Sequence, residues 1–363
     1  MNTNNNRLKS LFFTLVAFAA FAASAAGQSA ETLIAEGRVF LAQKDLVSAD
    51  TKFAAAVAAS STHEEANALR AATRLLILVN QSPTKEFLDR LGIGAVGRDI
   101  YNWQAEPAKD VSGSFIAPSS VKAQEITEHL RSTLVPELQA ARANLDKIVS
   151  PGFVTSLNAS ETTTANVSID QGDISLVRAL THFLEYFIYT TESWNLDLLL
   201  TDLEDLDNSG QLTAERVLND YPGLFTYKST DDLMAARTAF DSFVTHYLSA
   251  SSLIRGRGDQ GDHLFMDSPN RRNSEADFRS IITDLQMSLT QGPVVLTFNN
   301  NHIVNAGKQF DGTHSPRGMF PRTYRNKLVL GTLPDASFGG TITGLTSEQI
   351  ENYALTRIFH QRR

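Results

Sequence analysis

The run Ile174-Ser175-Leu176-Val177-Arg178-Ala179-Leu180-Thr181-His182-Phe183-Leu184-Glu185-Tyr186-Phe187-Ile188-Tyr189-Thr190 reads as one long helix. Leu176, Val177, Leu180, Phe183, Leu184 and Phe187 recur at three- and four-residue spacing and form its main apolar stripe, the period of an α-helix rather than of a strand. His182 and Glu185, three apart, share the opposite face with Arg178 and Tyr189.

Helical patterns extend outward from this run in both directions. They cover Glu31 to Asn80, Val121–Val149 with Pro136 marking a break, Trp194–Leu206, a stretch opening near Thr213, Asp231–Ile254, Ser274–Leu289 and a closing amphipathic segment, Ser347–Phe359. Pro151-Gly152 and a Thr/Ser/Asn-rich connector, Ser156–Ser168, separate two of them. Residues 92–119 are punctuated by glycine and proline. Their Gly92-Ile93-Gly94-Ala95-Val96-Gly97 spells a dinucleotide fingerprint but follows a helical pattern where a strand is required, so it reads as a helix C-cap and turn. Asp99 to Trp103 reads as an aromatic anchor for this loop. After Gly292, Val294 to Phe298 and Lys327 to Leu330 turn β-like. The expected fold is mainly α, an antiparallel helical array or bundle with a small irregular β-containing C-terminal region. Its expected units are a leader at 1–26, helical hairpins at 27–91, a Gly/Pro loop at 92–120, a helical body at 121–291 and a β/loop region with a terminal helix at 292–363.

The N-terminal hairpin carries a more specific pattern. With Leu33 as the fourth position, Gly37, Phe40, Ala49, Phe53 and Ala56 fall where small and aromatic residues alternate in a packed helix pair, with Lys44-Asp45 as the turn. On these residues Leu33–Ser61 resembles one tetratricopeptide repeat. Ser61 stands where that motif favours proline, and Arg74 occupies the second aromatic position of a following copy. A generic Ala-rich hairpin is the plainer alternative. The repeat resemblance implies an extended surface on which partners dock.

Arg7 and Lys9, the apolar run Leu11 to Ala22 and the small residues Ala23-Ser24-Ala25-Ala26 have the order of a cleavable secretory signal. The mature chain is therefore expected in the periplasm, at the cell surface or in the medium. It contains no cysteine. The whole chain has 32 basic and 40 acidic residues, and removing Arg7 and Lys9 leaves 30 against 40, a net −10. That balance opposes binding to nucleic acid and to anionic lipid. The most apolar later stretch, Leu196 to Leu212, carries Asp197, Asp202, Glu204, Asp205 and Asp207, so no membrane span is expected after signal removal.

Two constellations invite chemistry. Asp205-Leu206-Asp207-Asn208-Ser209-Gly210-Gln211-Leu212-Thr213 resembles the first nine positions of an EF-hand loop. The resemblance implies Ca²⁺ held by side-chain oxygens of Asp205, Asp207 and Ser209 and by the Gln211 carbonyl. Arg216 replaces the bidentate glutamate at the twelfth position, and an Asp/Asn/Gly turn capping the next helix is the alternative. The second is His182 and Glu185, whose spacing can place an imidazole and a carboxylate on one transition-metal ion. Thr181 to Phe187 is similar to the HxxE signature of the imelysin family, exported helical proteins linked to iron handling, although Leu180 stands where that family has glycine. His246 and His129 are further ligand candidates if the fold brings them near. A hydrogen-bonded Arg–His–Glu network is the alternative. Arg257-Gly258-Asp259 spells an adhesion tripeptide inside a polar loop and reads as coincidence. No nucleophile-elbow motif is present. The leading expectation is thus an exported, soluble, non-catalytic binding or scaffold protein whose partner is another protein or a surface glycan. A metal-binding exported protein is the alternative.

Overall fold

Ser29 accepts a hydrogen bond from the Thr32 N–H at 3.2 Å and starts helix α1 (Ala30–Ala42). Asp45 caps α2 (Leu46–Ala59) in the same way, through the Ser48 N–H at 3.0 Å. These come from a computed structural model that describes residues 28–330, apart from 112, 163–164, 259–260, 268–269, 271, 298–302, 313–315, 320 and 325–326. The expected leader at 1–26 and the expected helix Ser347–Phe359 lie outside the described residues. Lys44, at φ 63°, makes the turn between α1 and α2. Phe53 is fully buried against Gly37, where an added Cβ would lie 2.4 Å from the Phe53 ring. Only glycine leaves room there. Helix α3 (Glu64–Leu76) completes this layer and α4 (Thr84–Arg90) follows it. Gly92, at φ 72°, ends α4, with the Ile93 N–H reaching back to Leu88 O at 3.0 Å. The loop beyond is anchored by Ile100 and Tyr101, which pack on the N-terminal core, whereas Trp103 is 43% exposed.

Pro136 does not break the next helical stretch. Helix α5 (Ala123–His129) runs through a π-helical turn, Leu130–Leu134, straight into α6 (Val135–Leu145). A wider turn ahead of the proline gives its ring space that a regular α-turn denies it. The Thr/Ser/Asn-rich connector also differs from expectation, because most of it is a hairpin. Strand β1 (Val154–Leu157) pairs antiparallel with β2 (Val167–Asp170), Thr155 opposite Ile169.

Helix α7 (Gln171–Glu192) and helix α10 (Thr230–Arg255) form the centre of the molecule. The ring pairs Phe183–Phe243 and Tyr186–Phe240, both at 5.2 Å, set them antiparallel. Between them come α8 (Leu200–Asn208) and α9 (Ala214–Asp220). Residues 194–199, expected as helix, are instead extended: Trp194 bridges to Tyr227, and the Leu198 carbonyl accepts from the Ala123 N–H at 2.9 Å. Helix α11 (Arg272–Gln291) packs on α10. The main core joins Val135 and Leu138 of α6, Ala179 and Ile188 of α7, and Phe240 and Val244 of α10. A second seam ties the N-terminal hairpins to this body, with Ala68 and Ala71 of α3 against Ala141 and Leu145 of α6. Asn144 bonds Asn67 across it at 2.9 Å, and Arg74 pairs with Glu137. Arg38 on α1 binds Glu65 at 2.5 Å and Glu161, in the β1–β2 connection, at 2.9 Å. The β elements after α11 are short pairs: β3 (Val294–Val295) with β4 (Ile303–Val304), and β5 (Pro321–Tyr324) with β6 (Lys327–Leu330). No helix among the described residues is long and apolar enough to cross a membrane.

A helix patterned like α7 ordinarily turns its stripe to the core. Helix α7 does so only in part: Leu176 and Val177 pack on the cores and Phe183 touches Phe243 of α10, but the rest of the stripe faces outward. Glu185 and Tyr189 of the polar face are buried, while Leu180, Phe183 and Leu184 are each 43% exposed and Phe187 is 54% exposed.

Candidate functional site

The features that distinguish α7 begin at its first turn. Asp170 accepts from the Gly172 and Asp173 N–H groups, and Asp173 accepts from the Asp170 N–H, a reciprocal cap. Arg257, two residues past the end of α10, lies across both carboxylates. Its Nε is 2.7 Å from Asp170 Oδ2 and its Nη2 is 3.0 Å from Asp173 Oδ2. Asp173 also accepts the Phe265 N–H at 2.9 Å, and the Phe265 carbonyl accepts from Arg257. Burial raises the Asp170 carboxyl, but Arg257 and the capping N–H groups outweigh it and hold Asp170 below the usual carboxylate range. His263 completes the cluster, with Nδ1 3.5 Å from Asp173 and 3.7 Å from Asp170. Arg257 is therefore buried in an ion-pair cluster, with its side chain 6% exposed, and is not displayed as part of an adhesion tripeptide.

Asp170, Asp173 and His263 are also the one group of metal-capable side chains that converges among the described residues, within 4.8 Å of one another. The donor set does not suit a cation. Arg257 already bonds both oxygens of Asp170, and an ion beside it would meet repulsion of about 4 kcal/mol per unit charge at 4 Å in a partly screened setting. The cluster is a latch that fixes residues 263–265 to the start of α7.

Two turns further on, the polar face meets α6 and α10. Arg142 Nη2 binds Glu185 Oε1 at 2.7 Å, and His182 Nδ1 lies 3.4 Å from Glu185 Oε2, a long contact rather than a well-formed hydrogen bond. His182 stacks on His246, ring centroids 5.4 Å apart and planes within 9°. Burial raises Glu185, yet His182 and Arg142 outweigh it and hold the carboxyl below its ordinary range. Arg178 is engaged separately, with Asp146 at 3.2 Å and with the Leu145 carbonyl. The arginine of the network is thus Arg142, brought from α6. The fold does bring His246 to His182, while His129 stacks on Phe87 at 4.3 Å. Imidazole lone pairs lie in the ring plane, so two parallel stacked rings do not aim at a common ion. The Arg142 guanidinium further reduces the attraction of Glu185 for a cation.

Burial, followed by the charges of His182 and Arg178, pushes the His246 imidazole below its usual value. The unfolded chain therefore takes up more protons than the folded one as pH falls through about 6.5. Stability should drop on acidification from pH 7.5 to 5.5. Thermal melts at the two pH values should show a smaller drop for His246→Gln than for the parent. Equal drops would remove His246 from the account.

Asp205 and Asp207 sit in the last turn of α8. Residues two apart on a helix point about 200° apart, so their carboxylates leave on different sides. The Gln211 N–H returns to Leu206 O at 2.8 Å and the Gly210 N–H to Asp207 O at 2.9 Å, with Gly210 at φ 68°; this double return closes the helix. Ser209 follows as the C-cap, and Thr213 caps α9 through the Arg216 N–H at 3.1 Å. Asp205, Asp207, Ser209 and Gln211 therefore belong to a helix–turn–helix connection. Comparison with protein-family models, characterised proteins and solved structures finds no match to this chain.

The outward face of α7 remains. Leu180, Leu184 and Phe187, with the open edge of a Phe183 ring that packs on Phe243, line two turns of a centrally packed helix. Periodicity exposes the stripe in the sequence, but its direction depends on Arg142 and His246, which lie 43 and 61 positions from Glu185. The Asp170–Asp173 reciprocal cap, by contrast, has a readable signal in Asp-x-x-Asp ahead of an apolar run.

Proposed function

We propose that the mature chain is an exported, non-catalytic binding protein that offers the outward face of α7 to an apolar surface on another protein. The observation that supports this reading most directly is the 43–54% exposure of Leu180, Phe183, Leu184 and Phe187 on one helix face. Contiguous exposed apolar surface marks interaction sites, and fully covering one leucine or phenylalanine contributes about 1.5–3 kcal/mol. Residues 1–26 support export, and the net −10 of the mature chain favours a protein partner over nucleic acid. The metal readings draw less support, because Glu185 is committed to Arg142 and the Asp205 and Asp207 side chains diverge.

A photo-crosslinking residue at position 180, on the same face, in cells that make the protein, should capture one discrete protein. The same residue at Val149, 75% exposed, should capture none. Leu184→Asp with Phe187→Asp should abolish capture and shift stability by no more than about 0.5 kcal/mol, as at other surface positions. A crosslink back into the same chain, or a large fall in melting temperature of the double variant, would mean that the stripe is internal packing, and the reading would fail.

A further inference from the structure

A cavity of about 520 Å³ opens between α7, α10, α11 and the segment 264–267, within the range of small-molecule sites. Its walls are mainly apolar, with Leu176, Ile254, Leu264 and Met266 among them. Its polar end is built around Glu275, which accepts from Ser251 Oγ at 2.6 Å and from Arg255 at 2.8 Å. Arg255 also lines a second, polar cavity of about 540 Å³, together with Arg279, Thr283 and Asp284.

The charges at this junction are unequally satisfied. Asp267 pairs with Arg272 at 2.6 Å. Asp284 accepts the Thr297 N–H at 2.6 Å and its hydroxyl at 3.1 Å. Glu275, however, has two guanidiniums beside it and hydrogen-bonds only Arg255, since Arg279 stands 4.0 Å away, beyond hydrogen-bond reach. Each guanidinium carries five N–H donors in a fork that matches a carboxylate. The acids are provided for, and donor capacity is in excess at the point where the apolar and polar cavities meet. The wall opposite is held in place, because Phe265 is bonded through its N–H to Asp173 and through its carbonyl to Arg257.

We propose that this junction binds a small amphiphile with an anionic head, the head against Arg255 and Arg279 and the apolar chain against Leu176, Ile254, Leu264 and Met266. The site is separate from the Leu180–Phe187 stripe and does not depend on it. Dodecanoate is the probe, titrated calorimetrically into the purified mature chain, with dodecyltrimethylammonium as the cationic counterpart.

Dodecanoate should bind and the cationic amphiphile should bind at least tenfold more weakly. Arg279→Gln, at a side chain 36% exposed, should fold normally and weaken dodecanoate at least threefold, and Arg255→Gln with Arg279→Gln at least tenfold. Leu264→Trp, at a position 45% exposed, should obstruct the cavity and block binding while leaving the ligand-free melt unchanged. Leu184→Asp with Phe187→Asp should bind as the parent does. Equal affinity for both amphiphiles, parent-like binding by the arginine variants, or loss of binding in the stripe variant would each overturn the proposal.

Discussion

Arg257→Ala will lower the unfolding free energy by about 3–5 kcal/mol, the cost of breaking a buried ion pair by removing one partner. The substitution strands two carboxylates, and Asp173 is wholly buried with two backbone N–H groups and the nearby His263 left beside its charge. It also releases the Phe265 carbonyl and with it the wall of the 264–267 segment. Urea denaturation followed by circular dichroism measures the loss. A change below about 1 kcal/mol would mean that the cluster is solvated and carries little of the fold. The pH dependence follows from the same pairing. Because the folded Asp170 carboxyl sits below its unfolded value, its contribution is present above about pH 4 and is lost as pH falls through the folded value. Arg257→Ala should flatten that acid limb.

Phe53→Ala is the second large loss, about 3–5 kcal/mol for deleting a fully buried aromatic side chain. Its partner position supplies a sharper test. Gly37→Ala places a methyl within 2.4 Å of the Phe53 ring and should cost about 1–3 kcal/mol by overpacking. In a Phe53→Leu background the ring is gone, so the alanine should cost far less, and the double-mutant cycle should show coupling above 0.5 kcal/mol. Additive losses would mean that the two positions do not share one packing contact.

Much of the helical architecture was legible because helices announce themselves locally. The α2 cap at Asp45, the α9 cap at Thr213 and the close approach at Gly37 are each decided by a few neighbouring residues. The β1–β2 hairpin is not legible, because its strands are short and its Thr/Ser/Asn composition also suits a loop. Trp194 to Leu199 carried a helical spacing, but backbone pairing with Val121, Lys122 and Ala123 draws this segment into extended form. The direction in which α7 turns its stripe lies furthest beyond reach of the sequence. Hydrophobic periodicity locates a stripe without stating what lies opposite, and here the polar face is the one supplied with a core partner, Arg142, and a stacking partner, His246. The latch was half visible: Asp170 and Asp173 are local, whereas Arg257 and His263 arrive from about ninety positions away.

The seam between α3 and α6 sets a timetable for the growing polypeptide. Helix α3 ends at Leu76 and α6 starts at Val135, 59 positions later. At about 5–20 residues per second of synthesis, Ala68 and Ala71 wait on the order of 4–15 s before Ala141 and Leu145 exist to cover them. The first three helices therefore emerge as an unfinished half-sandwich with a bare alanine flank.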